Sequence, residues 1–160
     1  MSATGLEIFD STLQQTNEWL KAIMEEMRWD DRRRAYLALR GTLHALRDYL
    51  VIDESAQLAA QLPMLVRGIY FEGWNPSRSR AERRDRDDFL RRVEREFDRA
   101  DPQVDPERIA YAVFHVLAQR VSAGEIAQVQ GMLPKDVRAL WPHPAAPVDP
   151  RAGADAAAPA

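Results

Sequence analysis

The strongest constraint in this sequence is a stretch that occurs twice. Glu54–Tyr70 and Glu125–Trp141 align at an offset of 71 residues, and the alignment extends back without a gap to Arg34 and Asp105. Nine of its 37 columns are identical. The identical pairs are His44/His115, Leu46/Leu117, Glu54/Glu125, Ala56/Ala127, Gln57/Gln128, Leu62/Leu133, Pro63/Pro134, Val66/Val137 and Arg67/Arg138. The sequence therefore predicts a duplicated unit.

Composition and apolar spacing favour helices. Ala, Arg, Leu and Glu are abundant and Val and Ile are few, which favours helix over strand. Apolar side chains recur at helical spacing along the chain. Eight helices are predicted, near 6–28, 32–49, 53–61, 63–73, 82–99 and 105–121, with the seventh opening at 122–125 and the eighth covering 134–141. We expect no strand.

The predicted fold is an all-α bundle of about eight helices, built from two quasi-equivalent four-helix repeats without a sheet. Each repeat alone offers little core for about 70 residues, so the two should pack face to face as one domain. The predicted organisation is a flexible N-terminus at 1–5, repeat 1 at 6–73, a linker at 74–81, repeat 2 at 82–141 and a disordered Pro/Ala-rich tail at 142–160. The helical domain as a whole covers 6–141.

Composition excludes several classes of protein. The 160 residues include no cysteine, which rules out disulfides, thiolate metal sites and cysteine nucleophiles. No apolar run approaches the ~20 residues that span a bilayer, and no secretion signal is recognisable. We therefore expect a cytoplasmic protein without a membrane partner. No nucleophile elbow, phosphate loop or dinucleotide motif is present, so we expect no enzymatic activity and no cofactor.

The duplicated histidines admit two interpretations. His44 and Asp48 have the i,i+4 spacing of metal ligands, but His115 has Gln119 at the corresponding position. Apolar residues surround both histidines in the sequence. We therefore predict half-buried histidines hydrogen-bonded to backbone carbonyls, and no metal site.

The duplicated glutamates also admit two interpretations. Glu54 and Glu125 could form an acid–base pair. Both, however, stand at predicted helix starts, and Ser122 precedes Glu125 at the spacing of a capping box. We predict that the two carboxylates satisfy free N–H groups at these helix starts.

The segment from Met64 to Trp74 is crowded with Met, Ile, Tyr, Phe and Trp side chains, more than one helix face buries. It forms either the core between the repeats or an exposed patch for a protein partner or a second copy. On the second interpretation, Tyr70, Phe71 and Trp74 are the candidate partner-binding residues.

The second copy of the repeated stretch also has a helix-turn-helix-like pattern. Ala127, Gly131 and Val137 fall at the small, turn and apolar positions of such a pair. Lys135 and Arg138 would then lie on the recognition helix. The corresponding helix of the first copy is apolar, which favours simple helix packing over DNA reading.

Five stretches of the sequence are distinctive when taken together: Phe9–Leu20, Arg34–Arg40, Leu43–Asp48, Gln61–Trp74 and Val121–Glu125. They resemble the bacterial family catalogued as domain of unknown function 2267. The resemblance covers about Phe9 to Trp141 and implies a small, soluble, bacterial all-helical protein. It brings no activity, cofactor or catalytic residue. The leading hypothesis is a non-enzymatic interaction or self-association module, and DNA binding through Lys135 and Arg138 is the alternative.

Overall fold

The computed structural model describes residues 2–78, 81–82, 84–99, 101 and 104–142, and its regular structure there is entirely helical. Eight helices occur in these ranges: α1 (Glu7–Met27), α2 (Arg32–Tyr49), α3 (Ile52–Ala60), α4 (Met64–Phe71), α5 (Arg86–Glu94), α6 (Pro106–Arg120), α7 (Ala123–Met132) and α8 (Lys135–Arg138). The all-α prediction is confirmed. Apart from Pro142, the predicted tail lies outside the described residues, as do parts of the predicted linker.

Short polar side chains begin several of the helices. The Asp31 carboxylate accepts hydrogen bonds from the N–H groups of Arg33 and Arg34 at the start of α2. The Asp105 carboxylate accepts from the N–H of Arg108, and Pro106 is the first residue of α6. Each carboxylate satisfies N–H groups that a helix start leaves without an intrahelical partner. Local sequence therefore sets where α2 and α6 begin.

Helices α5 and α8 are shorter than predicted. Helix α5 starts only at Arg86, because the Asp85 carboxylate accepts the N–H of Asp88 at 2.8 Å. Helix α8 ends at Arg138, and the N–H groups of Leu140 and Trp141 then bond to carbonyls three residues back. This tighter turn buries both side chains. Since α1 has 21 residues and its counterpart α5 has nine, the duplication of the whole four-helix unit stays a prediction.

Helix α2 lies at the centre of the fold, in contact with α1, α4, α5 and α6. Its buried residues lie on more than one face: Ala35, Ala38, Leu39, Gly41, Thr42, Leu43, Ala45, Leu46 and Tyr49. A helix enclosed in this way needs a small residue where a neighbour comes closest. A Cβ atom at Gly41 would lie 2.8 Å from Glu96 Cγ and 3.0 Å from Val93 O. Helix α2 and the end of α5 therefore touch at Gly41.

Helix α6 is the second inner helix, in contact with α1, α2, α5 and α7. Its Phe114 ring stacks on Trp141 with the ring centroids 4.0 Å apart. Helices α3 and α7 contact each other, and Gln61 and Ser122 exchange two hydrogen bonds beside them. None of the described helices is long and apolar enough to cross a membrane.

We predict that Gly41→Ala destabilises the protein. The added methyl group meets Glu96 and the Val93 carbonyl, so overpacking should lower the free energy of unfolding by about 1–2 kcal/mol. Gly68→Ala in α4 is the matched control, because no atom lies within 4 Å of the added carbon. Alanine there should stabilise its helix by up to about 1 kcal/mol. Urea unfolding of both variants gives the comparison, and an unchanged Gly41→Ala variant would contradict the close contact.

Candidate functional site

An apolar surface lies where α1 and α4 begin. Nine large apolar side chains are exposed among the described residues, and six of them are at these two helix starts. They are Leu6, Ile8, Phe9, Leu13, Met64 and Leu65, with exposed fractions between 38% and 57%. We call these six residues the α1/α4 surface. Scattered apolar residues are normal on a protein, whereas large exposed apolar patches are often interaction sites.

Helix α4 packs on α1 inside this surface. The Leu65 N–H donates to Thr12 Oγ1 at 2.9 Å, which seats the first turn of α4 on α1. Thr12 and Thr16 are buried. Phe9 precedes Thr12 and Leu13 directly follows it, and both side chains remain exposed.

A groove of about 600 Å³ runs beside the α1/α4 surface, between α1, α2 and α4. Its apolar lining consists of Leu13, Leu20, Leu65 and Ile69, with the ring of Tyr36. The exposed side chains of Arg32, Arg33 and Glu72 also line it. This volume is within the range of pockets that hold a ligand or a side-chain cluster of a partner.

The predicted partner-binding residues lie elsewhere, and Tyr70 is not on the surface. Tyr70 has 0% exposure, and its hydroxyl donates to Ser55 Oγ at 2.9 Å. Phe71 and Trp74 are half-buried and pack on each other with ring centroids 5.1 Å apart. Tyr70 is therefore wrong as a partner contact, because its position on α4 faces α2 and α3. From the predicted apolar segment, Met64 and Leu65 are the exposed members.

A second cavity, of about 710 Å³, lies beside Trp74 and the loop that follows α4. Two of its basic side chains are already engaged in holding the fold. The Arg47 guanidinium donates to the carbonyls of Tyr70 and Glu72, at 2.7 and 2.8 Å. The Arg92 guanidinium bonds to the carboxylates of Asp48 and Asp88, both at 2.8 Å. The two carboxylates neutralise the charge of Arg92, and the Nη1 group of Arg47 is occupied by the two carbonyls.

Of the two predicted DNA-contact residues, Arg138 has a structural role. Its Nε donates to Gln130 O at 2.9 Å and its Nη2 to Leu133 O at 3.1 Å. The guanidinium therefore joins two carbonyls at the end of α7, that of Gln130, which also accepts the Leu133 N–H, and that of the capping residue Leu133. Lys135 is exposed on α8, a helix of only four residues. DNA binding stays a prediction. The Arg138 side chain is already engaged in hydrogen bonds to backbone carbonyls.

The first copy of the motif makes the same local structure. Arg67 Nε donates to Ala59 O at 2.9 Å, and its Nη2 to Leu62 O at 3.2 Å. These carbonyls are the equivalents, 71 residues earlier, of those that Arg138 binds. Val66 and Val137 are both fully buried. The repeated Leu-Pro-x-x-Val-Arg sequence is thus a helix-end motif, and packing explains its residues without a ligand.

The histidine prediction is confirmed for one of the pair. His44 is half-buried, and its Nε2 donates to Ile69 O at 2.8 Å. Burial lowers the pKa of His44, which favours the neutral ring. His115 is also half-buried, but its predicted carbonyl partner is wrong, because α6 packs against α1 and the His115 Nδ1 lies 2.7 Å from the Glu26 carboxylate.

The duplicated glutamates meet across the α3–α7 contact. Glu54 and Glu125 have only 3% and 8% exposure, and Oε1 of each has no hydrogen-bond partner among the described residues. Ser122 Oγ accepts the Glu125 N–H as predicted, but the Ser122 N–H donates to Gln61 and not to the Glu125 carboxylate. The predicted capping role of Glu125 is therefore wrong. Burial, together with the adjacent Glu125 carboxyl, raises the pKa of Glu54 to about 7.

We predict that this pair makes the protein less stable at higher pH. The folded chain holds the Glu54 proton more tightly than the unfolded chain, so stability falls as the pH rises from 4.5 towards about 7. Glu54→Gln cannot ionise and should be more stable than the native chain by about 1–3 kcal/mol at about pH 8, with little difference at about pH 4.

Urea unfolding at both pH values measures the effect, with Glu25→Gln on the exposed surface of α1 as the control. Equal pH dependence of the native chain and Glu54→Gln would contradict the buried pair.

We also predict that Arg138→Ala destabilises the fold, whereas Lys135→Ala does not. Loss of the two bonds from the guanidinium to carbonyls of α7 and Leu133 should lower the free energy of unfolding by about 1–2 kcal/mol. Lys135 is an exposed neighbour of the same charge sign and serves as the control. Chemical denaturation distinguishes the two, and equal stability of the variants would show that the Arg138 bonds contribute nothing.

The comparison with known proteins places this fold in a family. A family model described as "Uncharacterized conserved protein (DUF2267)" matches residues 16–140. No curated protein matches the chain. The matched range includes most of α1 and all seven later helices, whereas Leu6, Ile8, Phe9 and Leu13 precede it. The resemblance seen in the sequence is confirmed, and the chain belongs to the DUF2267 family of uncharacterized conserved proteins.

Proposed function

We propose that this protein is a non-enzymatic interaction domain that binds another protein surface through the α1/α4 surface. The observation that carries the proposal is the clustering of six exposed apolar side chains at the starts of two adjacent helices. Together they expose on the order of 500 Å² of apolar area on the two sides of the α4 start, and exposed apolar area of this extent is often functional. Covering this area with a partner would be favourable by the hydrophobic effect.

The groove beside the surface supports binding. An amphipathic helix commonly binds by placing apolar side chains from one face into such a groove. The lining includes four aliphatic side chains and the Tyr36 ring, and the Glu72 carboxylate lies 3.6 Å from the Arg40 guanidinium, which offsets the charge of Glu72. No nucleophile is paired with a base among the groove residues that the structure describes. These features favour a partner's apolar side chains over a reacting substrate.

The surface is also well held in place. The carbonyl of Ile69 near the end of α4 accepts from His44, and those of Tyr70 and Glu72 accept from Arg47. The start of α4 is fixed by its bond to Thr12. A surface whose backbone is anchored at both ends loses little conformational freedom on binding, which favours affinity.

We predict that a photoreactive side chain on this surface is trapped by a bound protein in cells that express the full chain. The substitution Phe9→p-benzoylphenylalanine places the reactive ring on the surface, in a position that is 46% exposed. The control is Tyr111→p-benzoylphenylalanine on α6, which is 45% exposed and outside the α1/α4 surface. After irradiation, gel electrophoresis and mass spectrometry should show discrete adducts for position 9 and none for position 111. Absence of adducts at position 9 would refute the proposal.

A further inference from the structure

We propose that the α1/α4 surface binds a second copy of this chain about a twofold axis, with the start of α1 from each copy in the groove of the other. The inference rests on the proposed function, because it assumes that this surface binds protein. It goes further in naming the occupant and the symmetry of the contact.

The chain contains both an apolar stripe on α1 and a groove of the kind that accepts such a stripe, and the two lie side by side. Leu6, Phe9 and Leu13 have i, i+3, i+7 spacing and form one apolar stripe along the exposed start of α1. Such a stripe is what a helix-binding groove accepts. The groove, with Leu65 and Ile69 in its lining, lies directly beside it. Leu6 and Phe9 do not line the groove of their own chain, whereas in a pair of copies these two side chains can enter the groove of the other copy.

Symmetry fixes which residue lies at the centre of the contact. In a twofold interface each patch meets an identical patch, and residues near the axis contact their own symmetry mates. Leu13 belongs both to the stripe and to the lining of the groove. A residue that is part of both surfaces must lie near the axis. We place the two α1 helices antiparallel, crossing close to Leu13, because this orientation lays the start of each α1 along the later turns of the other, where Leu20 lines the groove.

The available area fits a weak, reversible dimer. Leu6, Phe9, Leu13 and Leu65 expose on the order of 300 Å² of apolar surface in each copy, so the apolar contact is about 600 Å² in total, at the small end of interfaces and typical of a weak, transient one. Charge is favourable as well. The first turn of α1 carries Glu7 and Asp10, whereas the groove carries Arg32 and Arg33. The antiparallel crossing brings the acidic end of one α1 towards the basic side of the partner's groove.

The absence of cysteine from the sequence permits a direct test. In the full chain carrying Leu13→Cys, two symmetry-related thiols near the axis should oxidise rapidly to a disulfide-linked dimer, because a disulfide forms only when the Cβ atoms approach to about 4 Å. Ile52→Cys on α3 is the control, since Ile52 is 53% exposed and outside the surface. Under the same oxidant, the position-13 variant should dimerise at least tenfold faster than the control. Equal rates would overturn the proposal.

Sedimentation equilibrium of the chain without substitutions provides a second measurement. We expect reversible dimerisation with rising concentration, weakened at least tenfold by Phe9→Ser and unchanged by Ile52→Ser. Both substitutions shorten half-exposed side chains, and circular dichroism verifies that each variant is folded. A chain that stays monomeric at every concentration would overturn the twofold pairing.

The two proposals fail in different ways. If position 9 traps a different protein in cells while the purified chain stays monomeric, the surface is an interaction site and the second copy is wrong. If position 9 traps nothing, both proposals fail. If the position-9 adducts have twice the mass of the chain and Leu13→Cys dimerises rapidly, both stand.

Discussion

The fold depends on the enclosure of α2 by its neighbours. A helix that buries residues on more than one face has few positions left for solvent, and its partially buried polar side chains reach surrounding elements. Arg40 binds Glu96 after α5 at 2.6 Å, His44 binds the Ile69 carbonyl, and the Tyr49 hydroxyl donates to the Asp85 carbonyl at 2.8 Å. The close approach at Gly41 makes this arrangement possible. Every other element is positioned directly by α2 or through a neighbour that contacts it.

The same enclosure leaves the start of α1 uncovered. The later turns of α1 pack on α2 and α6, where Trp19, Ile23 and Met27 are buried. Helix α4 contacts α1 at Thr12, and its own first residues, Met64 and Leu65, are exposed. On α1, the exposed Phe9 and Leu13 continue the apolar stripe whose later residues are core. Because the structure holds α4 at both ends, this surface is presented in one fixed shape, which suits recognition of a partner.

The duplicated residues turn out to have three different physical roles. Arg67 and Arg138 close helix ends in the same way, because the backbone around each is the same. Glu54 and Glu125 contact each other, so each carboxyl group lies in the immediate surroundings of the other. His44 and His115 have different partners, a carbonyl and a carboxylate. Sequence identity at an offset of 71 thus predicted local geometry well and long-range environment poorly, since only the former is encoded within a few residues.

The sequence by itself determined the all-helical class and the starts of helices such as α2 and α6, because apolar periodicity and the caps at Asp31 and Asp105 act within a turn or two. It also contained the stripe of Phe9 and Leu13. It could not show which end of that stripe is covered, since a buried and an exposed apolar helix face have the same spacing. Only the tertiary structure decided this, by placing α4 over Thr12, by burying Tyr70 under its own helix, and by bringing Glu54 and Glu125 together from opposite halves of the chain.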